Sequence, residues 1–381
     1  MATRTAAAPA ATRPFFHADH VGSLLRPERL HAARARFERG EISAEALRDV
    51  EDDCIAEIIR LQEQIGLPAI TDGEFRRAVW WREFIIGIDG IAIGGPDDSA
   101  AFGGADKAAA KYLPKIVETR GKLRRSKPIM ARDFAFIRDR TKFLPKVTIP
   151  SPSRIHFHGG RAAIDKKTYP SLDAFWADIV EVYRAEIAAL EAQGCRFIQI
   201  DDPVLCYFLE DRIHDKLKAR GEDPDETLDV YVEALNRIIE ARGPATTVAV
   251  HVCRGNAGNA WAVGGSYTRI AEAIFPKLAC DVMLLEYDDE RSGDFMPLKL
   301  MPRHRKVVLG LVTTKHGTME KPDVLRRRLD EASRFLPMEN LAISPQCGFA
   351  STVGGNAILY DDEVAKLKLV VDTARAVWGH V

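Results

Sequence analysis

Four side chains of this sequence are of types that bind zinc, and each ends or follows a short apolar segment. They are His251 and Cys253 in TVAVHVC, Glu286 in VMLLEYD and Cys347 in LAISPQC. Mixed sulfur, imidazole and carboxylate ligands favour zinc over iron or copper, and zinc with an open position lowers the pKa of a bound thiol. The sequence therefore predicts one Zn²⁺ site that turns a thiol into a thiolate nucleophile, provided that the fold brings the four residues together.

The other four cysteines are predicted to be structural. Cys54, Cys195, Cys206 and Cys280 lie in helical or strand-edge contexts, and no CxxC pair is present. Scattered cysteines of this kind are typical of a reducing compartment and not of a disulfide framework. We therefore expect a cytoplasmic protein.

The zinc-binding types would be positioned by eight short apolar segments that alternate with amphipathic helical stretches. This alternation predicts an α/β fold, a (β/α)₈ TIM barrel, whose catalytic residues sit at the C-terminal ends of the strands. A doubly wound open sheet is the alternative, but no GxGxxG motif follows the first segment. The predicted strands are 18–23, 68–74, 146–152, 197–203, 247–253, 282–288, 306–312 and 341–347.

The predicted domain organisation is a single barrel with one insertion. Residues 1–13 are Ala-rich and predicted to be a disordered tail, and residues 14–381 form the catalytic domain. Residues 87–145 are predicted to be an insertion between strands 2 and 3, because they include the Gly-rich run GGPDDSAAFGGADKAAA. This insertion is either decoration or a lid over the barrel mouth.

Composition excludes several classes of partner. The 381 residues are 46% hydrophobic, which is enough for a large core, and the net charge of −1 favours neither nucleic acid nor an anionic membrane. No run of 18 apolar residues is present, so no membrane span is predicted. The sequence leaves the oligomeric state open.

The motifs HVGSLLRP, TDGEFRR, QIDDP, HVCRGN, LEYDD, LGLV and SPQCGFAS, in this order, resemble the cobalamin-independent methionine synthase family. The similarity runs from about Asp19 to Trp378 and is strongest to the short, single-barrel members. It implies that His251, Cys253, Glu286 and Cys347 bind zinc, and that zinc binds the sulfur of a thiol substrate, homocysteine in the prototype.

The resemblance also implies a binding site for an amino acid. Gly22 and Ser23 match the loop that binds the substrate carboxylate, and Glu74 and Asp201 match the acids that bind its ammonium group. Backbone N–H groups with a hydroxyl suit a carboxylate, and two acids suit an ammonium. Three histidines near predicted strand ends are further candidate substrate contacts: His20, His156 and His158.

Two departures from the family pattern concern the alkyl donor. Asp202 in QIDDP replaces the family's Glu, and Lys315, followed by His316, stands where the long enzymes have a proton-donating His. Lys315, Asp201 and Asp202 are therefore the candidate acids. The family's aromatic folate motif is not evident near SPSRIHFHGG. The donor, whether methyl-folate, methyl-corrinoid or an epoxide, is left open.

Three alternative functions are also compatible with the sequence. The nearest is ring-opening of an epoxide by coenzyme M, as in epoxyalkane:coenzyme M transferase, for which Arg26, Arg76, Arg77 and Arg254 are candidate sulfonate ligands. A zinc hydrolase is disfavoured because hydrolases prefer His and carboxylate ligands. A non-enzymatic binder of zinc or of a thiol is the third alternative.

Overall fold

The protein is built around one parallel sheet. The structure, a computed structural model, describes residues 13–97, 113–257, 259–350 and 352–381. The strands that they form are β1 (Ala69–Ile70), β2 (Asp89–Pro96), β3 (Lys115–Arg124), β4 (Leu144–Pro150), β5 (Phe197–Asp201), β6 (Thr247–Val252), β7 (Asn256–Ala257), β8 (Ala260–Trp261), β9 (Val282–Glu286), β10 (Lys306–Val312) and β11 (Leu341–Pro345). Seven of them pair in parallel in the order β1-β4-β5-β6-β9-β10-β11.

Seven of the eight predicted strand segments contain a strand of this sheet. The strands are mostly apolar because helices cover the sheet, and β5, β6, β9 and β11 are buried at every residue. The prediction of an α/β fold with a parallel sheet is confirmed.

The first predicted segment, 18–23, is the exception. It forms one parallel bridge, from Ala18 to Ile343 of β11, and no strand. On its other side the His20 ring bonds the carbonyl of Ala69 in β1 at 3.1 Å. The predicted set of eight strands is thus corrected to seven strands and one bridged segment, and strand ladders do not close a barrel within the described residues.

Helices connect the strands and begin and end at recognisable signals. The Ser43 hydroxyl accepts a hydrogen bond from the Ala46 N–H at the start of the second helix, and Gly66 (φ +91°) ends it. No described helix is long and apolar enough to cross a membrane. The helices are α1 (Glu28–Glu38), α2 (Ala44–Ile65), α3 (Arg82–Ile86), α4 (Ala131–Arg138), α5 (Ser153–Phe157), α6 (Leu172–Ala192), α7 (Val204–Tyr207), α8 (Asp211–Ala219), α9 (Pro224–Ile239), α10 (Thr268–Ile274), α11 (Pro322–Ser333) and α12 (Tyr360–Trp378).

The predicted insertion contains an antiparallel pair, β2 and β3, followed by α4. The buried Glu186 of α6 accepts bonds from the backbone N–H groups of Ile129 and Met130 and from the Arg125 side chain. This carboxylate therefore fixes the end of the pair against the body of the protein. Most of the predicted Gly-rich loop, and residues 1–12 of the predicted tail, lie outside the described residues.

The core has two parts. A large cluster lies between the sheet and its helices. A second, smaller cluster collects apolar side chains from six of the seven strands and from Val21, with Leu144 of β4, Phe15 and Phe16 packed against it. Because alternate residues of a strand point to opposite faces, this second cluster marks the face of the sheet that is turned away from the large cluster.

Candidate active site

The four predicted ligands converge at the C-terminal ends of three strands. His251 lies in β6 and Cys253 follows it, Glu286 ends the neighbouring β9, and Cys347 follows β11. One ligand atom from each lies within 4.8 Å of the others, and all four residues are buried. The structure thus supplies the convergence on which the predicted metal site depends.

The donor set fits a zinc ion in spacing and in chemistry. The sulfur atoms of Cys253 and Cys347 are 3.7 Å apart and both cysteines are free thiols. Two sulfurs about 2.3 Å from a tetrahedral zinc would lie about 3.8 Å apart. The Nε2 atom of His251 is buried without a hydrogen-bond partner and lies 3.7 Å from Glu286 Oε1, too far for a hydrogen bond.

Neighbouring side chains orient these ligands. The Nδ1 atom of His251 lies 3.1 Å from Asp201 Oδ1, which leaves Nε2 for a metal. The Glu286 carboxylate accepts bonds from the Arg254 backbone N–H, Asn256 and Gln346 at 2.9 to 3.1 Å. Hydrogen bonds therefore hold both side chains in fixed orientations that suit the predicted metal site.

Negatively charged side chains are concentrated around the four candidate ligands. Burial opposes a charged imidazole, but the hydrogen bond with Asp201 and the nearby Glu286 carboxylate outweigh burial and raise the pKa of His251 to about 10. The adjacent Cys347 and burial raise the pKa of the Cys253 thiol well above its usual range. Carboxylates concentrated away from water in this way favour a bound cation.

A cleft with about 640 Å³ of empty volume opens beside the ligands. It is lined by three ligands, by polar side chains predicted to bind substrate and by aromatic side chains. The lining residues are Val21, Ser23, Glu74, Trp80, Trp81, Pro114, Arg154, His158, Asp201, Pro203, Tyr207, His251, Cys253, Gly255, Asn256 and Cys347. A substrate in this cleft would lie within reach of both the metal ligands and the predicted ammonium-binding acids.

Glu74 is held in the cleft at some conformational cost. Its φ is +60°, which is rare for a residue with a side chain and is often found at functional sites. Its Oε1 accepts bonds from Arg77 and Thr148, whereas Oε2 is buried with no partner. Burial, together with Asp201 and against the effect of Arg77, raises the pKa of this carboxyl. Oε2 is thus the free acceptor that a bound ammonium would meet.

The predicted carboxylate loop borders the same cleft through Ser23. Gly22 has φ +131°, and a Cβ there would lie 2.7 Å from the Thr148 side chain, so only glycine fits. The Gly22 carbonyl accepts a bond from the Thr71 hydroxyl at 2.7 Å. The loop is therefore fixed to β4 and to the residue that follows β1.

Two predicted site residues lie elsewhere and have structural partners. Asp202 accepts bonds from Ser151, Ser153 and the N–H groups at the start of α7, and burial raises its pKa to about 6. His156 bonds the Tyr231 hydroxyl inside an aromatic cluster. Neither lines the cleft. The structure thus gives structural partners to Asp202, which was predicted to be a candidate acid, and to His156, which was predicted to contact substrate.

Three other predicted residues also lie outside the cleft lining. The His20 ring bonds a carbonyl of β1, and burial, with Lys146 nearby, lowers its pKa to about 4. Arg254 is fully buried over the Tyr267 ring. Lys315 bonds Asp288 at 2.8 Å and, with His316, lines a separate cleft.

Sequence reasoning missed the aromatic and amide side chains of the cleft. Trp80 and Trp81 follow the TDGEFRR segment after two residues, so a pair of adjacent tryptophans close to a predicted strand end was the available signal. The Asn256 amide donates hydrogen bonds to Glu286 and to the sulfur of Cys253. Its place in the sequence, three residues after that cysteine, could have suggested this contact. Pro114 and Tyr207 gave no signal, because only the tertiary fold brings them to the cleft.

Comparison with known proteins gives consistent results along the whole chain. The sequence model of the family described as the catalytic domain of cobalamin-independent synthase matches residues 16–376. The uncharacterized protein YxjG of Bacillus subtilis (strain 168) is 39% identical over 372 residues, 96% of each chain. A methionine synthase of Pyrococcus abyssi is 26% identical over 360 residues, 94% of this chain and 90% of the relative.

A solved structure shares the fold. A candidate vitamin-B12-independent methionine synthase from Listeria monocytogenes superposes with a TM-score of 0.76 at 32% identity. The match covers 96% of this chain and 98% of the other.

Proposed function

The chain belongs to the cobalamin-independent methionine synthase family, and we propose that it is a zinc-dependent methyltransferase that methylates the sulfur of homocysteine to give methionine. At the level of the family, membership supports methyl transfer to a thiol. The choice of zinc and of homocysteine is the further step, and it depends on the residues of the cleft.

One observation carries the proposal. Two sulfurs, an imidazole nitrogen and a carboxylate oxygen lie within 4.8 Å of one another, and three of these residues border the cleft that also holds Glu74 and Asp201. A metal site and an ammonium site in one cleft fit a substrate with a thiol at one end and an amino acid group at the other.

His251, Cys253, Glu286 and Cys347 would hold the zinc. When bound, zinc supplies a Lewis acid that lowers the pKa of the substrate thiol at neutral pH. Asp201 fixes the tautomer of His251, and Asn256 with Gln346 orients Glu286. The protein thus contributes a fixed ligand set, and the aromatic side of the cleft excludes water from the sulfur.

The amino acid end of the substrate would lie between two acids and the loop at Ser23. The unpartnered Oε2 of Glu74 accepts a hydrogen bond from the ammonium, and Asp201 accepts a second. Ser23 and neighbouring backbone would bind the carboxylate. These contacts fix the distance between the amino acid end and the sulfur, so they select for chain length.

The coenzyme M alternative needs a basic group for the sulfonate. Arg26 donates to four backbone carbonyls, Arg77 pairs with Glu74, and Arg76 pairs with Asp52 and Asp133. Arg254 is bonded to the Gly265 carbonyl. All four arginines predicted for this role therefore hold the protein together. Arg154, which does line the cleft, donates to the Lys115 carbonyl and lies over the Trp81 ring. The acids Glu74 and Asp201 of the same cleft favour homocysteine over coenzyme M.

We further propose that the sheet closes into a barrel in which residues 17–20 take the eighth position. Ala18 bridges β11, while the His20 ring and the Leu24 N–H reach carbonyls at residues 69 and 73. The small apolar cluster, with members from six strands and Leu144 of the seventh packed against it, supports this closure. Residues 14–381 would then form one catalytic domain, with 87–145 as an insertion.

Metal content and methyl transfer test the proposed function together. Wild type, Cys347→Ala and the control Cys195→Ala, which removes a buried thiol away from the cleft, would be assayed for bound zinc and for methionine formed from homocysteine. Methyl-folate, methyl-corrinoid, and an epoxide with coenzyme M would be offered in turn.

We expect wild type and Cys195→Ala to bind about one zinc per chain and to form methionine with one of the methyl donors. Cys347→Ala should lose most of its zinc and at least about 100-fold in rate, because a ligand is removed. Full activity in a zinc-free Cys347→Ala protein, or turnover of coenzyme M but not of homocysteine, would refute the proposal.

A further inference from the structure

A buried glycine beside one candidate metal ligand lies against the predicted carboxylate loop. Gly348 directly follows Cys347 in the chain. A Cβ added to Gly348 would lie 1.9 Å from the Ser23 hydroxyl oxygen and 3.1 Å from the Ser23 Cβ. The φ of Gly348 lies outside the left-handed region, so its backbone conformation does not require glycine. The space that the Ser23 side chain occupies is therefore the reason that no side chain fits at this position.

Backbone hydrogen bonds hold the two segments together at this point of contact. The Phe349 N–H donates to the Ser23 carbonyl at 2.9 Å. The Gly348 carbonyl accepts a bond from the Asn356 side chain at 3.4 Å, and the same amide donates to the Thr314 carbonyl at 2.9 Å. Gly348 therefore cannot move away from Ser23 without disturbing these bonds.

The other side of the loop is tied to the ligand set through Asp201. The Gln199 amide donates to the Val21 carbonyl at 2.6 Å and to Asp201 Oδ1 at 2.7 Å. The same oxygen of Asp201 lies 3.1 Å from His251 Nδ1. Contacts on both sides thus fix the position of the loop relative to two candidate ligands, Cys347 and His251.

The Ser23 hydroxyl is available to a bound molecule. Ser23 is 4% exposed and lines the cleft together with Cys347 and Glu74. Within the described part of the chain, this hydroxyl has no hydrogen-bond partner. A hydroxyl can donate to a carboxylate, and a hydrogen bond to a charged acceptor is stronger than one between neutral groups. The empty side of Gly348 is thus the space in which a carboxylate donor stands.

We propose that Gly348 is a positioning residue that makes the cleft selective for thiols with a carboxylate. This inference rests on the proposed function. Because residue 348 has no side chain, the Ser23 hydroxyl stays in the cleft beside the metal-ligand end and donates to one carboxylate oxygen of homocysteine. A methyl group at residue 348 would turn this hydroxyl away, whereas Glu74 and the metal ligands would keep their places.

The binding of two thiols to zinc-loaded protein tests this role without a methyl donor. The thiols are homocysteine and 3-aminopropane-1-thiol, which has the same spacer and ammonium group but no carboxylate. Calorimetry would give the Kd of each thiol for wild type, Gly348→Ala and a control from the same segment, Gly354→Ala. A Cβ added to Gly354 meets no atom within 4 Å.

We expect Gly348→Ala to raise the Kd for homocysteine about 10- to 100-fold, because one hydrogen bond to a charged group is lost. Its Kd for 3-aminopropane-1-thiol should stay close to that of wild type, since this thiol has no carboxylate to lose a partner. Gly354→Ala should match wild type for both thiols.

Ser23→Ala separates the effect of the hydroxyl from any effect on the metal ligand. It should weaken the binding of homocysteine about as much as Gly348→Ala does. The double variant should bind homocysteine little more weakly than Ser23→Ala alone, because the atom nearest to the added Cβ is gone. The zinc content of every variant is measured alongside the Kd.

An unchanged Kd for homocysteine in either single variant would overturn the inference. Equal weakening of both thiols, or loss of zinc from Gly348→Ala, would overturn it too, because the glycine would then serve Cys347 and not the carboxylate. Failure of wild type to bind homocysteine at all would refute the proposed function itself.

Discussion

The geometry of one residue, Glu74, indicates which group of the substrate it would bind. Its Oε2 is buried without a partner, and its backbone has a positive φ that is rare for a residue with a side chain. The charges indicate which group would pair with this oxygen, because a carboxylate that lies beside Asp201 in a cleft suits an ammonium group. The substitution that removes this charge while keeping the shape is Glu74→Gln.

We expect Glu74→Gln to raise the KM for homocysteine about 10- to 100-fold, because a hydrogen bond to a charged group contributes about 1.5–3 kcal/mol. The same variant should barely change the KM for 4-mercaptobutyrate, the analogue that lacks the amino group. Steady-state kinetics with both thiols gives the two values. An equal rise for both would show that Glu74 acts on the shape of the cleft and not on the ammonium.

Glu363 is a buried carboxyl group that should make the stability of the protein depend on pH. It is fully buried at the start of α12, accepts one bond from the Leu25 N–H, and has a second oxygen without a partner. Burial raises its pKa from 4.5 to about 8, although the Leu25 bond opposes the shift. Between these pH values the unfolded chain is ionised at this residue while the folded protein keeps the proton. The free energy of unfolding must therefore fall as the pH rises from about 4.5 to about 8.

Glu363→Gln keeps an acceptor for the Leu25 N–H and abolishes this pH dependence. The free energy of unfolding of Glu363→Gln minus that of wild type should rise by about 1–3 kcal/mol from pH 5 to pH 7, since one pKa unit corresponds to about 1.4 kcal/mol. Urea denaturation of both proteins at the two pH values measures the gain. A difference that is the same at both pH values would contradict the raised pKa.

At the scale of the element, the segment before α1 is held by a buried ion pair instead of by a strand ladder. Lys146 of β4 is inaccessible to solvent and donates to the Asp19 carboxylate at 2.8 Å and to the His20 carbonyl at 2.7 Å. This pair fixes the segment whose next residues form the Gly22–Ser23 loop. Its loss should therefore affect both stability and substrate binding.

We expect Lys146→Met to cost about 3–5 kcal/mol in the free energy of unfolding, because a buried carboxylate is left without its partner. The double variant Asp19→Asn with Lys146→Met should recover much of that loss. Chemical denaturation of wild type, both single variants and the double variant forms a complete cycle. Additive losses in the double variant would mean that the two side chains do not stabilise each other.

The same segment shows where sequence reasoning stopped. Seven strands could be predicted because Val-, Ile- and Leu-rich runs bounded by turns are a local property. The segment 18–23 has a similar pattern, but Gly22 and the bond to Lys146 give it a bent, bridged course that only tertiary contacts determine. The convergence of the four candidate ligands could be predicted from strand ends, because strand ends depend on topology and not on side-chain detail.

Contacts between distant elements were beyond the reach of the sequence. Asp97 belongs to a region predicted as decoration or a lid, and its bond to His158 joins the ends of β2 and α5. Asp202 and His156 were predicted to be functional because of their residue types and positions. In the structure Asp202 bonds Ser151 and Ser153, and His156 bonds Tyr231. Residue type alone does not distinguish a buried, satisfied polar group from one that faces a substrate.

At the scale of the whole molecule, the proposed metal site joins parts of the chain that are almost 100 residues apart. Its ligands follow or end β6, β9 and β11, which are neighbours through β10 in the sheet. An unfolded chain does not hold these groups together, so a metal that binds them binds the folded state far more tightly. Metal binding must then stabilise the entire fold by mass action.

Removal of the metal should therefore lower the melting temperature. At a free zinc concentration about 1,000 times the Kd, binding contributes about 4 kcal/mol, and a chelator in excess removes that contribution. We expect wild type and Cys195→Ala to melt several degrees lower with chelator and to recover when zinc is restored. Cys347→Ala should melt at the lower temperature in both conditions, because it lacks one ligand. Differential scanning calorimetry makes the comparison, and a chelator effect of equal size in Cys347→Ala would place the stabilising metal at some other site.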